Sequence, residues 1–200
     1  MTLFKTAIGA ALLFFFVLPG LAKGEPSRWL LVDTSAQSLM VMEGQTIKQR
    51  FDNISVGRNG TAPLRYRGDN TTPLGTFRIA WVNPNSRYKT FFGFDYPNLP
   101  LAEQALRRGL IDLAAYNEIS SAIRHGQLPP QNTPLGGYLG IHGLGRADPK
   151  IHATMNWTQG CIALTNQQID ELSQWIEVGT RVVISEGNVA ALQTAANTLN

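Results

Sequence analysis

Two short segments carry side chains that together can perform nucleophilic chemistry. Segment 141–143 reads IHG and holds His142, whereas segment 158–161 reads TQGC and holds Cys161, the only cysteine among the 200 residues. An imidazole beside a thiol can take its proton, so that the thiolate attacks a carbonyl carbon and the imidazolium then protonates the leaving amine. Gly160 removes a side chain where backbone N–H groups near Cys161 would bind the oxyanion. This pattern predicts acyl transfer through a cysteine.

The histidine also needs an acceptor for its second ring nitrogen. The sequence offers no obvious Asp or Asn for this role, and a backbone carbonyl such as that of Gly143 can fill it. Residues 144–159 between the two segments are polar and loop-like, so they can fold back and bring His142 and Cys161 together.

The N-terminal residues predict export. Lys5 precedes an apolar run over residues 7–18, and Gly20-Leu21-Ala22 offers a small-residue cleavage site, which together is the plan of a secretory signal peptide over 1–22. The run is shorter than the roughly 20 apolar residues of a membrane span. We therefore expect a periplasmic protein that is outside the membrane after cleavage; an uncleaved N-terminal anchor is the alternative. A lone cysteine in an exported protein is either buried and inert or kept for its chemistry.

Composition argues against several functional classes. Apolar residues make up 44% of the chain and charged residues 16%, which is enough for a folded core. The net charge of +3 is thinly spread, so we expect no nucleic-acid partner. One cysteine cannot build a Cys-rich zinc site, and the spacing of His142, His152 and Cys161 fits no common zinc motif. We expect no metal.

The elements that must position the pair form one mainly β domain over residues 28–186, with a helical insertion at about 101–127. The spacing of apolar residues in the insertion suits one or two amphipathic helices with a break at Gly109. A tail over 187–200 follows the domain. Apolar runs and alternation predict strands over residues 28–34, 38–42, 47–56, 75–82, 138–142, 161–164 and 181–184, separated by long loops over 57–75 and 83–100.

Near the C-terminus the sequence predicts a further helix. Thr165 and Gln168 form a capping-box pattern, in which each side chain bonds the other residue's backbone N–H. We expect this helix to start at Thr165 and to end at Gly179.

These segments resemble a known family of cell-wall enzymes. The IHG element, a spacer of this size and the Thr-x-Gly-Cys-Ile element at 158–162 are similar to the catalytic signature of the L,D-transpeptidase (YkuD-type) domain. Residues 30–33 and 37–41 resemble the opening hairpin of that family. Residues 55–57 and 72–77 (SVG and TPLGTF) resemble its middle motif.

The resemblance implies a mixed β-sandwich with one or two helices packed against it. It implies that Cys161 is the nucleophile, His142 the base and Gly143 the orienting carbonyl. The implied substrate is a peptidoglycan stem peptide, cleaved after its third residue through a thioester on Cys161, with the acyl group passed to an amine or to water. No metal or organic cofactor is implied.

Two positions depart from the family pattern. Gln159 stands where many members have histidine, and Ala163 stands where an arginine is common that is thought to hold a substrate carboxylate. A subgroup that shares the alanine and a segment like NPNS at 83–86 includes hydrolases. The missing arginine has two explanations: another cation serves, with Arg58, Arg65, Arg67 and Arg146 as candidates, or the substrate or acceptor is different.

We therefore predict a peptidoglycan L,D-transpeptidase. An L,D-carboxypeptidase or an amidase that hydrolyses a stem-peptide or wall-protein crosslink is the alternative, and a catalytically dead wall-binding module is a further one. We expect the partners to be stem peptides, with a wall-anchored protein as a further candidate, and we expect the helical insertion to border the substrate groove. The predicted substrate-binding residues are Tyr138, Arg146, Trp157, Thr158 and Gln159.

Overall fold

The structure, a computed structural model, describes residues 28–187. The expected signal peptide over 1–22 and nearly all of the expected tail over 187–200 lie outside the described residues. Among the helices of residues 28–187, none has both the length and the apolar character that crossing a membrane requires.

The chain begins with an antiparallel meander. Strands β1 (Arg28–Asp33), β2 (Ser38–Glu43) and β3 (Thr46–Asp52) pair in sequence, and the turn between β2 and β3 lies at Gly44, whose φ of 58° suits glycine. Strand β1 is buried on both faces, with Leu30 and Val32 in the main core and Trp29 and Leu31 in a second cluster, and β10 (Arg181–Ser185) pairs parallel with its other edge. The antiparallel pairing of β1 with β2 confirms the hairpin predicted from the sequence.

The next part of the chain contains the longest strand. Strands β4 (Thr61–Ala62) and β5 (Thr72–Pro73) form a small parallel pair within the expected loop, and β6 (Gly75–Ser86) follows. Strand β7 (Lys89–Phe94) pairs antiparallel with β6, so the prediction of a loop over 83–100 is wrong for its first part. The register shifts between Asn83 and Ser86, which accommodates a proline in a strand.

The insertion consists of two helices, α1 (Leu99–Arg107) and α2 (Leu113–Arg124). The side chains of Asn98 and Asp112 cap their first turns, and Gly109, with a φ of 68°, lies in the break between them as expected. The apolar faces of the helices are buried in the main core through Leu101, Ala102, Ala105 and Ile119, and Ile111 in the connection between them is buried there as well.

Short elements surround the two reactive residues. They are β8 (Gly140–His142), α3 (Pro149–Thr154), β9 (Ile162–Ala163) and α4 (Asn166–Leu172). The predicted capping box of α4 is formed, but the helix ends at Leu172, so the expected end at Gly179 is wrong. Helix α3 lies in a spacer that we expected to be a loop; its signals are Asp148 as N-cap and Pro149 in the first turn.

The strands form one mixed sheet in the order β3-β2-β1-β10-β6-β7-β8-β9. The chain that leaves β3 then reaches the opposite edge of this sheet, where the N–H of Ser55 donates to the carbonyl of Ala163 at 2.9 Å and the N–H of Ala163 donates to that of Ser55 at 2.8 Å. The sheet thus closes on itself around the main core. The predicted mainly β fold with a large mixed sheet is confirmed.

Candidate active site

The pairing of β8 with β9 brings His142 and Cys161 to the same face. The two strands are parallel, with Ile141 opposite Ile162 and His142 opposite Ala163. Cys161 lies two residues before Ala163, and residues two apart on an extended chain project to the same side. Both reactive side chains accordingly line one cavity of about 380 Å³.

His142 is buried and held from several directions. Only 2% of its surface is exposed. Its Nδ1 donates to the carbonyl of Gly143 at 2.6 Å, and its ring stacks on Tyr88 and Phe91 with centroid distances of 4.4 Å and 5.7 Å. The ring of Trp157 meets it edge to face, with the two ring centroids 5.9 Å apart. With the proton on Nδ1, the lone pair is on Nε2, as a general base requires.

Burial also keeps His142 uncharged. It lowers the pKa of the imidazole to about 4, and the positive charges of Arg87 and His152 act in the same direction. The hydrogen bond to the carbonyl of Gly143 raises this pKa and offsets only part of the effect. At neutral pH the residue is therefore a neutral base.

Cys161 is half-buried, and its thiol lies 3.5 Å from the carbonyl oxygen of Tyr138. Burial raises the pKa of this thiol to about 11, while a backbone hydrogen bond from Gly140 and the charge of Arg65 lower it. The resting site thus holds a neutral thiol and a neutral imidazole.

A tight turn presents the nucleophile. The hydroxyl of Thr158 donates to the carbonyl of Cys161 at 2.7 Å and accepts from the N–H of Gly160 at 3.1 Å. Gly160 has a φ of 122°, and a Cβ at this position would collide with Nη1 of Arg65 and the carbonyl of Thr71. Position 160 therefore requires glycine on both conformational and steric grounds.

A second cavity meets the first one at the nucleophile. It measures about 290 Å³, and its lining includes Arg65 and Arg67. Tyr138, Gln159 and Cys161 line both cavities, so they form the divide between them. A carbonyl placed at the thiol would have room for substituents on both sides, as cleavage of a peptide requires.

Comparisons with known proteins agree with this geometry. Residues 27–184 match the model of the L,D-transpeptidase catalytic domain, or YkuD family. The chain belongs to this family. No curated protein sequence matches this chain.

Two solved structures resemble the fold of this L,D-transpeptidase domain. The helical cell shape determining protein Pgp2 from Campylobacter jejuni is 20% identical, with a TM-score of 0.56, over 82% of this chain and 49% of that one. Bd1075 from Bdellovibrio bacteriovorus is 17% identical, with a TM-score of 0.53, over 90% of this chain and 56% of that one. This chain thus spans about half the length of the structures it matches.

The predicted substrate-binding residues of the L,D-transpeptidase domain have different positions. Tyr138, Trp157, Thr158 and Gln159 all line the cavity beside Cys161. Thr158 is buried, and its hydroxyl is engaged by the backbone of the turn, so it shapes the nucleophile's turn. Arg146 is exposed and is absent from the linings of both cavities, so its role in binding stays a prediction that this geometry does not support.

The other three candidate cations line the two cavities. Arg58 lines the first cavity, whereas Arg65 and Arg67 line the second.

Among the described residues that line either cavity, none belongs to the helical insertion over 101–127. The helices of the insertion use their apolar faces for the core, and the expectation that the insertion borders the substrate groove stays a prediction.

Sequence reasoning missed several residues of the site. Trp81, Arg87, Tyr88 and Phe91 line the first cavity, and three of them lie in the segment read as a loop. The apolar residues from Phe91 to Phe94 were the available signal for a strand there.

Asn166, at the start of α4, was also missed. Its side chain accepts from the N–H of Gly145 and donates to the carbonyl of the same residue, both at 2.9 Å. The side chain thereby holds the loop that follows His142 and carries the carbonyl of Gly143.

His152 is not a partner of the reactive pair in a metal site. It is buried, and its Nδ1 accepts from Nε1 of Trp157 at 3.3 Å. Within residues 28–187, no group of three or more His, Cys, Asp or Glu side chains could hold a metal ion. His152 supports the tryptophan that contacts His142.

Proposed function

We propose that this protein is a peptidoglycan L,D-transpeptidase that forms a thioester between Cys161 and a stem peptide. The observation that carries the proposal is the shared cavity, which is lined both by Cys161 and by a neutral imidazole, that of His142, whose Nδ1 donates to the carbonyl of Gly143. Family membership supports the class of substrate. The proposed location is the periplasm, which residues 1–22 predict.

The acylation step uses groups that the fold already orients. Nε2 of His142 takes the proton from Sγ of Cys161 as sulfur attacks the carbonyl carbon of the third stem residue. The backbone N–H of Cys161 stabilises the oxyanion of the tetrahedral intermediate, whereas the N–H of Gly160 is engaged by the hydroxyl of Thr158. When the intermediate collapses, the imidazolium protonates the amine of the leaving residue, and the thioester remains.

The deacylation step repeats the proton transfer in the other direction. His142 removes a proton from the incoming nucleophile, which attacks the thioester carbon, and the proton then passes to the sulfur of Cys161. An amine acceptor completes a transpeptidation and creates a new amide bond. Water completes a hydrolysis.

Hydrolysis is the second candidate function, and the second cavity favours it. An amine acceptor approaches mostly as an ammonium ion, whereas Arg65 and Arg67 give this cavity positive charge. The same charge suits the free carboxylate of a terminal leaving residue. Both the disfavoured ammonium ion and the favoured carboxylate suit an L,D-carboxypeptidase. Ala163 also supports hydrolysis, because this position lacks the arginine that is common in the family. The protein of this fold from Campylobacter jejuni determines helical cell shape.

One experiment tests both functions. Purified protein is incubated with stem tetrapeptide, with and without an excess of amine acceptor, and the products are identified by mass spectrometry. Transpeptidation predicts a crosslinked product that requires the acceptor. Release of tripeptide alone at high acceptor concentration would contradict transfer and establish hydrolysis.

The control is Cys161→Ala, which keeps the cavity and removes the thiol. The absence of any product with the wild-type protein, together with an inert thiol, would support the wall-binding module instead. A covalent adduct on Cys161 that the variant lacks identifies the acyl-enzyme directly.

A further inference from the structure

A buried guanidinium lies behind the nucleophile's turn. The side chain of Arg65 is only 5% exposed, and its Nη1 donates to the carbonyl of Gln159 at 3.2 Å. Its Nη2 lies 3.4 Å from the carboxylate of Asp69. Arg65 also lines the second cavity together with Cys161. The guanidinium therefore contacts the backbone immediately before the nucleophile.

Asp69 holds this arginine in place through a folded loop. Its two carboxylate oxygens accept from the backbone N–H groups of Tyr66 and Thr71, at 2.9 Å and 3.0 Å. Nη1 of Arg65 and the carbonyl of Thr71 fill the space where a Cβ of Gly160 would stand. The loop thus delivers a fixed cation to one side of the turn.

The other charges around Cys161 differ from Arg65 in exposure. Arg58 and Arg87 line the first cavity and Arg67 the second, and all three are exposed to solvent, which screens their charges. Asp69 is paired with Arg65. His142 is neutral at pH 7, and the remaining titratable groups of the two linings are the phenols of Tyr88 and Tyr138. Among these described groups, Arg65 is the buried cation.

We propose that Arg65 is a positioning residue for the nucleophile. Its guanidinium holds the turn at Gln159 and Gly160 and supplies the positive charge that stabilises Sγ of Cys161 as this atom becomes negative. The proposal rests on the proposed function in taking Cys161 as the nucleophile. Burial matters, because a charge in a site of low dielectric acts more strongly than one in water.

The test separates the charge from the hydrogen bond. Arg65→Lys keeps a positive charge but lacks the planar fork, whereas Arg65→Met removes both. Because Arg65→Met leaves Asp69 buried without a partner, the double variant Arg65→Met/Asp69→Asn is also made. The matched control is Arg50→Met, which removes an arginine paired with an exposed carboxylate on β3.

The readout is the rate of alkylation of Cys161 by iodoacetamide as a function of pH. It is measured in the wild-type background and with His142→Ala, which removes coupling to the imidazole. In the variants that lack the positive charge, we expect the midpoint of the alkylation rate against pH to rise by about one pH unit. At a pH below this midpoint we expect the alkylation rate to fall about tenfold. Arg65→Lys keeps the midpoint near that of wild type but lowers turnover of stem peptide.

Two outcomes would overturn the proposal. One is an unchanged midpoint in both Arg65→Met and Arg65→Met/Asp69→Asn, and the other is an equal shift in Arg50→Met. Because alkylation does not require stem peptide, this titration stands apart from the function assay. A wild-type protein without turnover would contradict the proposed function and leave the effect of Arg65 measurable.

Discussion

Acid should destabilise this protein through the burial of His142. Burial lowers the pKa of this imidazole from about 6.5 to about 4 in the folded protein. Between these two values the unfolded chain binds a proton that the folded protein does not bind, so the free energy of unfolding falls as the pH falls. The stabilisation that the lowered pKa of His142 provides is fully present above pH 6.5. Between pH 7 and pH 5 the free energy of unfolding falls by about 2 kcal/mol from this cause.

Urea denaturation at pH 7, 6 and 5 measures this loss. The variant His142→Gln has no imidazole at this position that could titrate. We therefore expect the free energy of unfolding of the variant to change by about 2 kcal/mol less than that of wild type over this pH range. His152→Gln should also reduce the pH dependence, because burial lowers the pKa of that imidazole as well. The control is His125→Gln, which changes an exposed histidine at the end of α2.

The reasoning is refuted if wild type and His142→Gln show the same pH dependence. Such a result would mean that the folded protein binds a proton at His142 as readily as the unfolded chain does. The neutral resting pair of imidazole and thiol would then also be wrong.

Four further predictions concern the site and the N-terminus. Cys161→Ala should abolish turnover of stem tetrapeptide and His142→Ala should reduce it at least ~100-fold, while Gln159→Ala costs much less; steady-state kinetics test this order. The acid limb of kcat/KM should lie near pH 4, because His142 must be neutral to act as a base; an acid limb near 6.5 would contradict its lowered pKa. Asn166→Ala should lower kcat about tenfold in a folded protein, because it frees the loop that carries the orienting carbonyl; unchanged kinetics would show that the loop keeps its position unaided. Export should remove residues 1–22, and intact mass measurement of the periplasmic protein should show cleavage after Ala22; a mature protein that begins at Met1 would refute this.

The parts of the fold that local sequence determines could be predicted. The meander at the N-terminus follows from alternating apolar residues and a turn at Gly44, and α4 starts at a capping box that four consecutive residues define. The pair of His142 and Cys161 follows from residue type and spacing. In each case, the relevant interaction lies within one element or one short connection.

The parts that depend on distant contacts could not be predicted. Strand β7 exists because it pairs with both β6 and β8, and the sequence near Tyr88 alone does not show either partner. The burial of Arg65 depends on Asp69 and on a carbonyl far along the chain. Spacing alone did not distinguish this cation from Arg146, which the fold leaves in solvent.

The contact between Ser55 and Ala163 has a consequence for how a peptide can be recognised. Strand β9 is only two residues long and would otherwise present unpaired N–H and C=O groups right beside the nucleophile. An open edge of this kind invites an extended peptide to add as an extra strand. Ser55 occupies the backbone groups of Ala163 on that side. A peptide therefore cannot add as a strand along Ala163 at this edge, and we expect the proposed substrate to be selected by the side chains that line the cavity beside Cys161.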